Sequence, residues 1–182
     1  HIPEDAVIVS TTGHISRELY EIREEHNSGH HRDFLTVGSM GHASQIAMGI
    51  ALSRPDLPVF CIDGDGAAIM HMGSLAILGQ SGCRNLHHIV LNNGVHGSVG
   101  GQPTVGHQID FCRIAEGCGY AHVESAHIPE ENVDIALGRS CNSCGPSFLE
   151  IRVGKEHRNT LGRPKTTPAE NGRALSKFLG IS

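Results

Sequence analysis

Val59-Phe60-Cys61-Ile62-Asp63-Gly64-Asp65-Gly66-Ala67 reads as an apolar run that breaks abruptly into acidic residues and glycines. A short apolar run without alternation, closed by a turn signal, is the pattern of a strand buried on both faces of a parallel sheet. The pattern returns at His88-Ile89-Val90-Leu91, followed by Asn92-Asn93-Gly94-Val95. Each run therefore delivers hard oxygen donors, a carboxylate from one and amides from the other, to the carboxyl edge of the sheet. That edge is where open α/β sheets bind ligands. The glycines let the backbone approach a phosphate closely. A divalent metal with a diphosphate is the ligand these two strand ends anticipate.

Outward from this pair, residues 6–10 read as another buried strand, with Thr11-Thr12-Gly13-His14 as the turn at its carboxyl end. Ser16-Arg17-Glu18-Leu19 reads as a capping box with Ser16 as N-cap. Residues 34–37 form a weaker strand. Gly38-Ser39-Met40-Gly41-His42-Ala43-Ser44 is a small-residue junction that opens a helix through 53, its apolar stripe made of Ile46, Ala47, Ile50 and Ala51. A helix over 70–81 separates the two strand ends. The segment 94–106 is rich in glycine and too polar for a core; its place directly after the Asn pair marks it as an active-site loop. Helices follow over 110–118 and 130–140, strands over 120–123 and 147–153, then a polar arm over 155–167 and a terminal helix over 168–178. The last strand alternates enough to be an edge. Strands and helices alternating every ~25 residues predict an α/β fold: a doubly wound, mainly parallel sheet with helices on both faces. The expectation is one domain over 1–182, of which 154–182 is a C-terminal arm and helix.

Composition narrows the function classes. The net charge is −5 and there is no run of Lys and Arg, which excludes a nucleic-acid surface. No apolar run approaches the ~20 residues of a membrane span, and no signal peptide is visible. The 6 cysteines are scattered, and only Cys141-Asn142-Ser143-Cys144 has metal or redox spacing. It precedes Gly145-Pro146 rather than opening a helix, so the thiols read as reduced cysteines of a cytoplasmic protein. The 14 histidines occur singly or as adjacent pairs and read mostly as surface or polar loop residues.

Gly64-Asp65-Gly66 alone is an ordinary turn. Asn92-Asn93, placed 25 residues further on at the end of a second strand, changes that reading. No Gly-x-Gly-x-x-Gly fingerprint follows the first strand and no P-loop occurs. The spaced pair resembles the thiamine diphosphate motif of the decarboxylase and acetohydroxyacid synthase superfamily. The resemblance implies thiamine diphosphate and Mg2+ as cofactors. It makes Asp65 and Asn93 metal ligands through their side chains and Val95 a third through its carbonyl. It makes Gly66 and Ala67 diphosphate binders, with His14 in the turn that approaches the diphosphate. Gly38-Ser39-Met40 resembles the segment that grips the aminopyrimidine, with the Gly38 carbonyl as hydrogen-bond acceptor and Met40 as the wedge that bends the cofactor.

A closer resemblance covers nearly the whole chain. Ser10-Thr11-Thr12-Gly13, Gly38 to Ser44, Asn93-Gly94-Val95-His96-Gly97-Ser98-Val99-Gly100-Gly101-Gln102 and Leu161-Gly162-Arg163-Pro164 are similar to the phosphonopyruvate decarboxylase family. Most of these, including Gly100-Gly101-Gln102-Pro103-Thr104, are also similar to sulfopyruvate decarboxylase β subunits. The implied reaction is decarboxylation of a small 2-oxo acid that carries a second anion. His96 and Ser98 follow the metal ligands and are the catalytic candidates, as hydrogen-bond donors or proton shuttles; contact with water alone is the competing reading. Val99 stands where pyruvate decarboxylases place a carboxylate, which fits an anionic substrate tail. Arg17, His42 and His96 are candidates to hold that tail. The superfamily takes its activating glutamate from a separate pyrimidine-binding domain, which these 182 residues do not contain. The resemblance thus implies an oligomeric enzyme completed by a pyrimidine-binding subunit or domain. A non-catalytic cofactor-binding module and an α/β nucleotide binder using Asp65 for magnesium are the alternatives.

Overall fold

A computed structural model describes residues 1–128, 130–156, 158 and 160–181, with backbone only at 130 and 131. The chain opens with strand β1 (Val7–Ser10), helix α1 (His14–Glu25), β2 (Asp33–Leu35), α2 (Ala43–Ser53) and β3 (Val59–Gly64). Two short helices follow, α3 (Asp65–Met70) and α4 (Gly73–Gly79), then β4 (Leu86–Asn92). A small hairpin of β5 (Val95–His96) and β6 (Gln102–Pro103) precedes α5 (Phe111–Cys118). The chain ends with β7 (His122–His127), α6 (Glu130–Asn142), β8 (Ser147–Arg152) and α7 (Pro168–Leu179).

Six strands form one sheet in the order β2-β1-β3-β4-β8-β7, every neighbouring pair parallel. The apolar runs are continuous because both faces are covered. On one face Val9, Cys61, Val90 and Phe148 pack with Ala47, Leu75, Phe111 and Leu175 of α2, α4, α5 and α7. On the other, Ile8, Phe60, Ile89 and Leu149 pack with Leu19 and Tyr20 of α1 and Ala136 of α6. From β1 the chain first goes to β2 on one side, then returns to β3 on the other. The crevice between the carboxyl ends of β1 and β3 is therefore a topological switch point. Register holds the ends level, with Ser10 beside Ile62 and Gly64 beside Leu91.

Four local expectations change. Helix α1 starts at His14, after Gly13 at φ +100°, and Ser16 is not its cap. The buried Ser16 hydroxyl donates to the Thr11 carbonyl at 2.6 Å and lies 2.9 Å from Ser10 Oγ, which pins the helix to β1. The helix expected over 70–81 begins instead at Asp65 and is broken at His71-Met72. Strand β8 is not an edge: it pairs with β4 and β7. Its polar residues are buried and bonded, Ser147 Oγ to His87 Nδ1 at 2.8 Å and Glu150 Oε1 to Asn92 Nδ2 at 2.6 Å. Histidines, read mostly as surface or polar loop residues, also enter the core: His87 and His88 are both buried on β4.

The C-terminal arm packs across α1. Arg158 pairs with Glu18, Glu21 and Glu25, and the Gly162 N–H donates to Glu21 Oε1 at 2.7 Å. A Thr167/Glu170 capping box opens α7. Asn171 then clamps the edge strand β2, accepting from the Leu35 N–H at 2.9 Å and donating to the Asp33 carbonyl at 2.7 Å. No described helix is long and apolar enough to cross a membrane.

Candidate functional site

The switch point opens into a cleft of about 440 Å³, within the usual range of small-molecule sites. Its floor is Gly64, Asp65, Gly66 and Ala67 at the junction of β3 and α3. The turn Thr11, Thr12 and His14 forms one wall with Ile15, Glu18 and Ile22 of α1. Asn93 and Val95 form the opposite wall, with His96, Ser98 and Val99 of the hairpin above them. Met40 also reaches the lining. Residues from four separate stretches of sequence thus line one cleft.

Gly38 and Ser39 do not line the cleft; both are exposed. The Gly38 N–H donates to Thr12 Oγ1 at 3.2 Å, which ties their segment to the turn after β1. Ser39 adopts φ +46° between Gly38 at +71° and Gly41 at +91° on either side of Met40. A non-glycine residue in the left-handed region is uncommon and clusters at functional sites. Here it turns Met40 inward.

Asp65 is 2% exposed and makes no ion pair among the described residues. The Thr104 hydroxyl donates to its Oδ2. A buried carboxylate without a cationic side chain is suited to a metal ion. Thr11 adds a second signal: it lines the cleft, and its buried Oγ1 has no partner among the described residues. Backbone also comes close. A Cβ at Gly66 would fall 2.5 Å from His96 Cε1, so only glycine fits under that ring. Together these features fit a hard divalent cation and an anionic group lying over the Gly66 backbone.

The two asparagines divide the work. Asn92 is fully used internally, with Nδ2 donating to the Gly106 carbonyl at 2.8 Å and to Glu150 at 2.6 Å, and Oδ1 accepting from the Gly94 N–H at 3.2 Å. Asn93 lines the cleft, and its Oδ1 accepts from the Val95 N–H at 3.1 Å, which fixes the amide oxygen beside Val95.

Sequence reasoning missed Thr104, Gly106 and Lys155. Thr104 sits in the quoted Gly100–Thr104 run but has no spacing signal of its own. Lys155, read as part of a polar arm, is the one lysine or arginine in the described lining. Of the three anion candidates only His96 lines the cleft; Arg17 does not, and His42 lies in a separate shallow depression beside His71.

Behind the floor lies a buried polar group. His88 Nε2 stands 3.6 Å from Asp63 Oδ2, and His88 Nδ1 stands 3.2 Å from the Tyr120 hydroxyl. Burial pushes the Tyr120 phenol up, and burial and then the Asp63 charge push the nearby Cys61 thiol well up, so both stay protonated. This group faces the core and not the cleft.

Comparison with known proteins agrees with the geometry. Residues 11–151 match the family model "Thiamine pyrophosphate enzyme, C-terminal TPP binding domain". Phosphonopyruvate decarboxylase of Streptomyces viridochromogenes is 41% identical over 98% of this chain, which spans 43% of that relative. The chain therefore covers less than half of that protein's length. The sulfopyruvate decarboxylase subunit beta of Methanococcus maripaludis is 35% identical over 91% of this chain and 85% of its own length. An enzyme of Mycobacterium smegmatis described as thiamin diphosphate-dependent superposes with TM-score 0.61 at 20% identity, over 84% of this chain and 30% of that one, which supports the fold. The chain belongs to the thiamine pyrophosphate enzyme family, as a C-terminal thiamine pyrophosphate-binding domain.

Proposed function

We propose that this chain is the Mg2+- and thiamine diphosphate-binding half of a 2-oxo acid decarboxylase that converts phosphonopyruvate to phosphonoacetaldehyde and CO2. One observation carries the reading. Asp65, Asn93 and Val95 meet on one cleft, in a chain that aligns over 98% of its length with a phosphonopyruvate decarboxylase.

In this reading the Asp65 carboxylate, the Asn93 amide oxygen and the Val95 carbonyl hold the metal. The Gly66 and Ala67 N–H groups and the Thr11 hydroxyl donate to the diphosphate, with His14 beside it. Met40 orients the aminopyrimidine. The bound cofactor supplies an electron sink for the bond to CO2. In the same reading His96, packed over Gly66, holds or moves a proton at a ring nitrogen, and Ser98 donates a hydrogen bond. The Lys155 ammonium faces the distal anion of the substrate. The activating glutamate comes from a pyrimidine-binding subunit or domain, so this chain alone binds cofactor without turnover.

Sulfopyruvate is the second substrate reading. It is supported by the sulfopyruvate decarboxylase subunit beta relative, 35% identical over 91% of this chain. Titration calorimetry with thiamine diphosphate and Mg2+ tests the cofactor assignment. Tight ATP binding with no thiamine diphosphate binding overturns it. Reconstitution with the pyrimidine-binding partner and assay on both acids tests the reaction. Failure to turn over either acid, with cofactor bound, leaves a non-catalytic binding module.

A further inference from the structure

The hairpin of β5 and β6 does more than roof the cleft. Val95, on its first strand, is the proposed carbonyl ligand of the metal. Thr104 follows its second strand, whose register pairs Val95 with Pro103 and His96 with Gln102. Thr104 is tied down three times. Its N–H donates to the Gly94 carbonyl at 2.8 Å, its Oγ1 accepts from the Gly106 N–H at 3.1 Å, and its hydroxyl bonds Asp65 Oδ2.

A hydroxyl has a single proton to give. The Gly106 N–H already approaches Thr104 Oγ1 as a donor, and the Asp65 carboxylate can only accept. The proton is therefore directed at Asp65 Oδ2. The return of the loop is equally constrained. The Gly106 carbonyl accepts from Asn92, whose other amide hydrogen goes to the buried Glu150. A Cβ on Gly106 would fall 2.5 Å from Asp65 Oδ2 and 2.6 Å from Asn92 Oδ1, so loop and carboxylate are in contact.

From this network we infer that Thr104 is a positioning residue for Asp65. It occupies one carboxylate oxygen, leaves the other for the metal, and links the Asp65 side chain to the hairpin that carries Val95. Two ligands that lie far apart in sequence, one at the start of α3 and one on β5, are thereby held in one rigid arrangement before the metal arrives. Side chains that orient metal ligands in this way contribute about 10–100-fold to metal affinity. The inference rests on the reading of Asp65 and Val95 as metal ligands.

The test is Mg2+ titration by calorimetry at saturating thiamine diphosphate, on the intact protein and on Thr104→Val and Thr104→Ser. Thermal melting without ligand is measured in parallel. Thr104→Val, which keeps the shape and loses the donor, is expected to bind Mg2+ at least about 10-fold more weakly. Thr104→Ser, which keeps the hydroxyl, is expected to stay within about threefold of the unaltered protein. A purely structural role predicts instead that affinity follows the melting midpoint and that Ser gives no rescue; that result overturns the inference. Undiminished Mg2+ affinity in a folded Thr104→Val also overturns it. If the unaltered protein shows no Mg2+-dependent binding of thiamine diphosphate, the proposed function itself falls and the inference falls with it.

Discussion

Arg23→Met is expected to be among the most damaging single changes outside the cleft. The Arg23 guanidinium donates to Asp33 through both Nε and Nη2, each at 2.9 Å. The Asp33 side chain is 0% exposed and that of Arg23 is 16% exposed. The hydrogen bond to Asp33 raises the affinity of the guanidinium for its proton. The pair joins α1, which walls the cleft, to the edge strand β2. Methionine keeps most of the apolar stem and removes the charge, leaving a buried carboxylate with no cation. Breaking a buried pair from one side costs about 3–5 kcal/mol. For a chain of this size each kcal/mol moves the melting midpoint by about 2–4 °C, so the drop is on the order of 6–20 °C. Replacing both partners by apolar residues, Arg23→Met with Asp33→Leu, removes the stranded charge and is expected to recover most of that loss. Urea and thermal unfolding of the four proteins of this cycle give the coupling directly. An Arg23→Met protein within about 1 kcal/mol of the parent, the range of an exposed pair, would refute the claim that this pair is desolvated.

Asp65→Asn should abolish Mg2+-dependent binding of thiamine diphosphate in calorimetry. Without ligand it should melt no lower than the parent, because a buried unpaired charge has been removed; retained metal affinity counts against Asp65 as a ligand. Gly106→Ala forces a methyl group against Asp65 Oδ2 and Asn92 Oδ1. Urea unfolding should register about 1–3 kcal/mol of overpacking, together with weaker Mg2+ binding; a neutral result on both measures would show that the loop shifts freely. Burial, and to a lesser extent Glu150, pushes the half-buried Cys112 thiol up to about 11. Its thiolate is scarce at pH 8 and grows only as the pH approaches that value. Mass spectrometry after alkylation at pH 8 should find the exposed Cys144 labelled well before Cys112; equal rates would contradict the burial argument.

Much of this molecule is written locally. Val59–Ile62 and His88–Leu91 are apolar without alternation because both faces of a parallel strand are covered, and that pattern needs no partner to be seen. Gly64-Asp65-Gly66 and Asn92-Asn93 sit just beyond those runs, so the place of the cleft and the kind of ligand it takes followed from covalent order alone. Strand and helix types were legible for the same reason, since periodicity is a property of neighbours along the chain. Other features depend on neighbours in space. Ser147 and Glu150 made β8 look like an edge because nothing near them in sequence reveals His87 and Asn92, which pair with them across the sheet. Ser16 resembled a helix cap until Ser10 and Thr11 claimed its hydroxyl.

The division of roles between the asparagines and the attachment of Thr104 to Asp65 likewise depend on long-range contacts. So does the arrival of Lys155 at a cleft built from β1 and β3. A hydrogen bond between residues 39 positions apart has no periodic or compositional trace. By itself the sequence determined the fold class, the two strand ends and the chemistry of their donors, because local pattern encodes burial. Tertiary structure alone decided which polar groups are used up by the protein and which remain for a ligand, because that depends on what the folded chain brings within hydrogen-bonding distance.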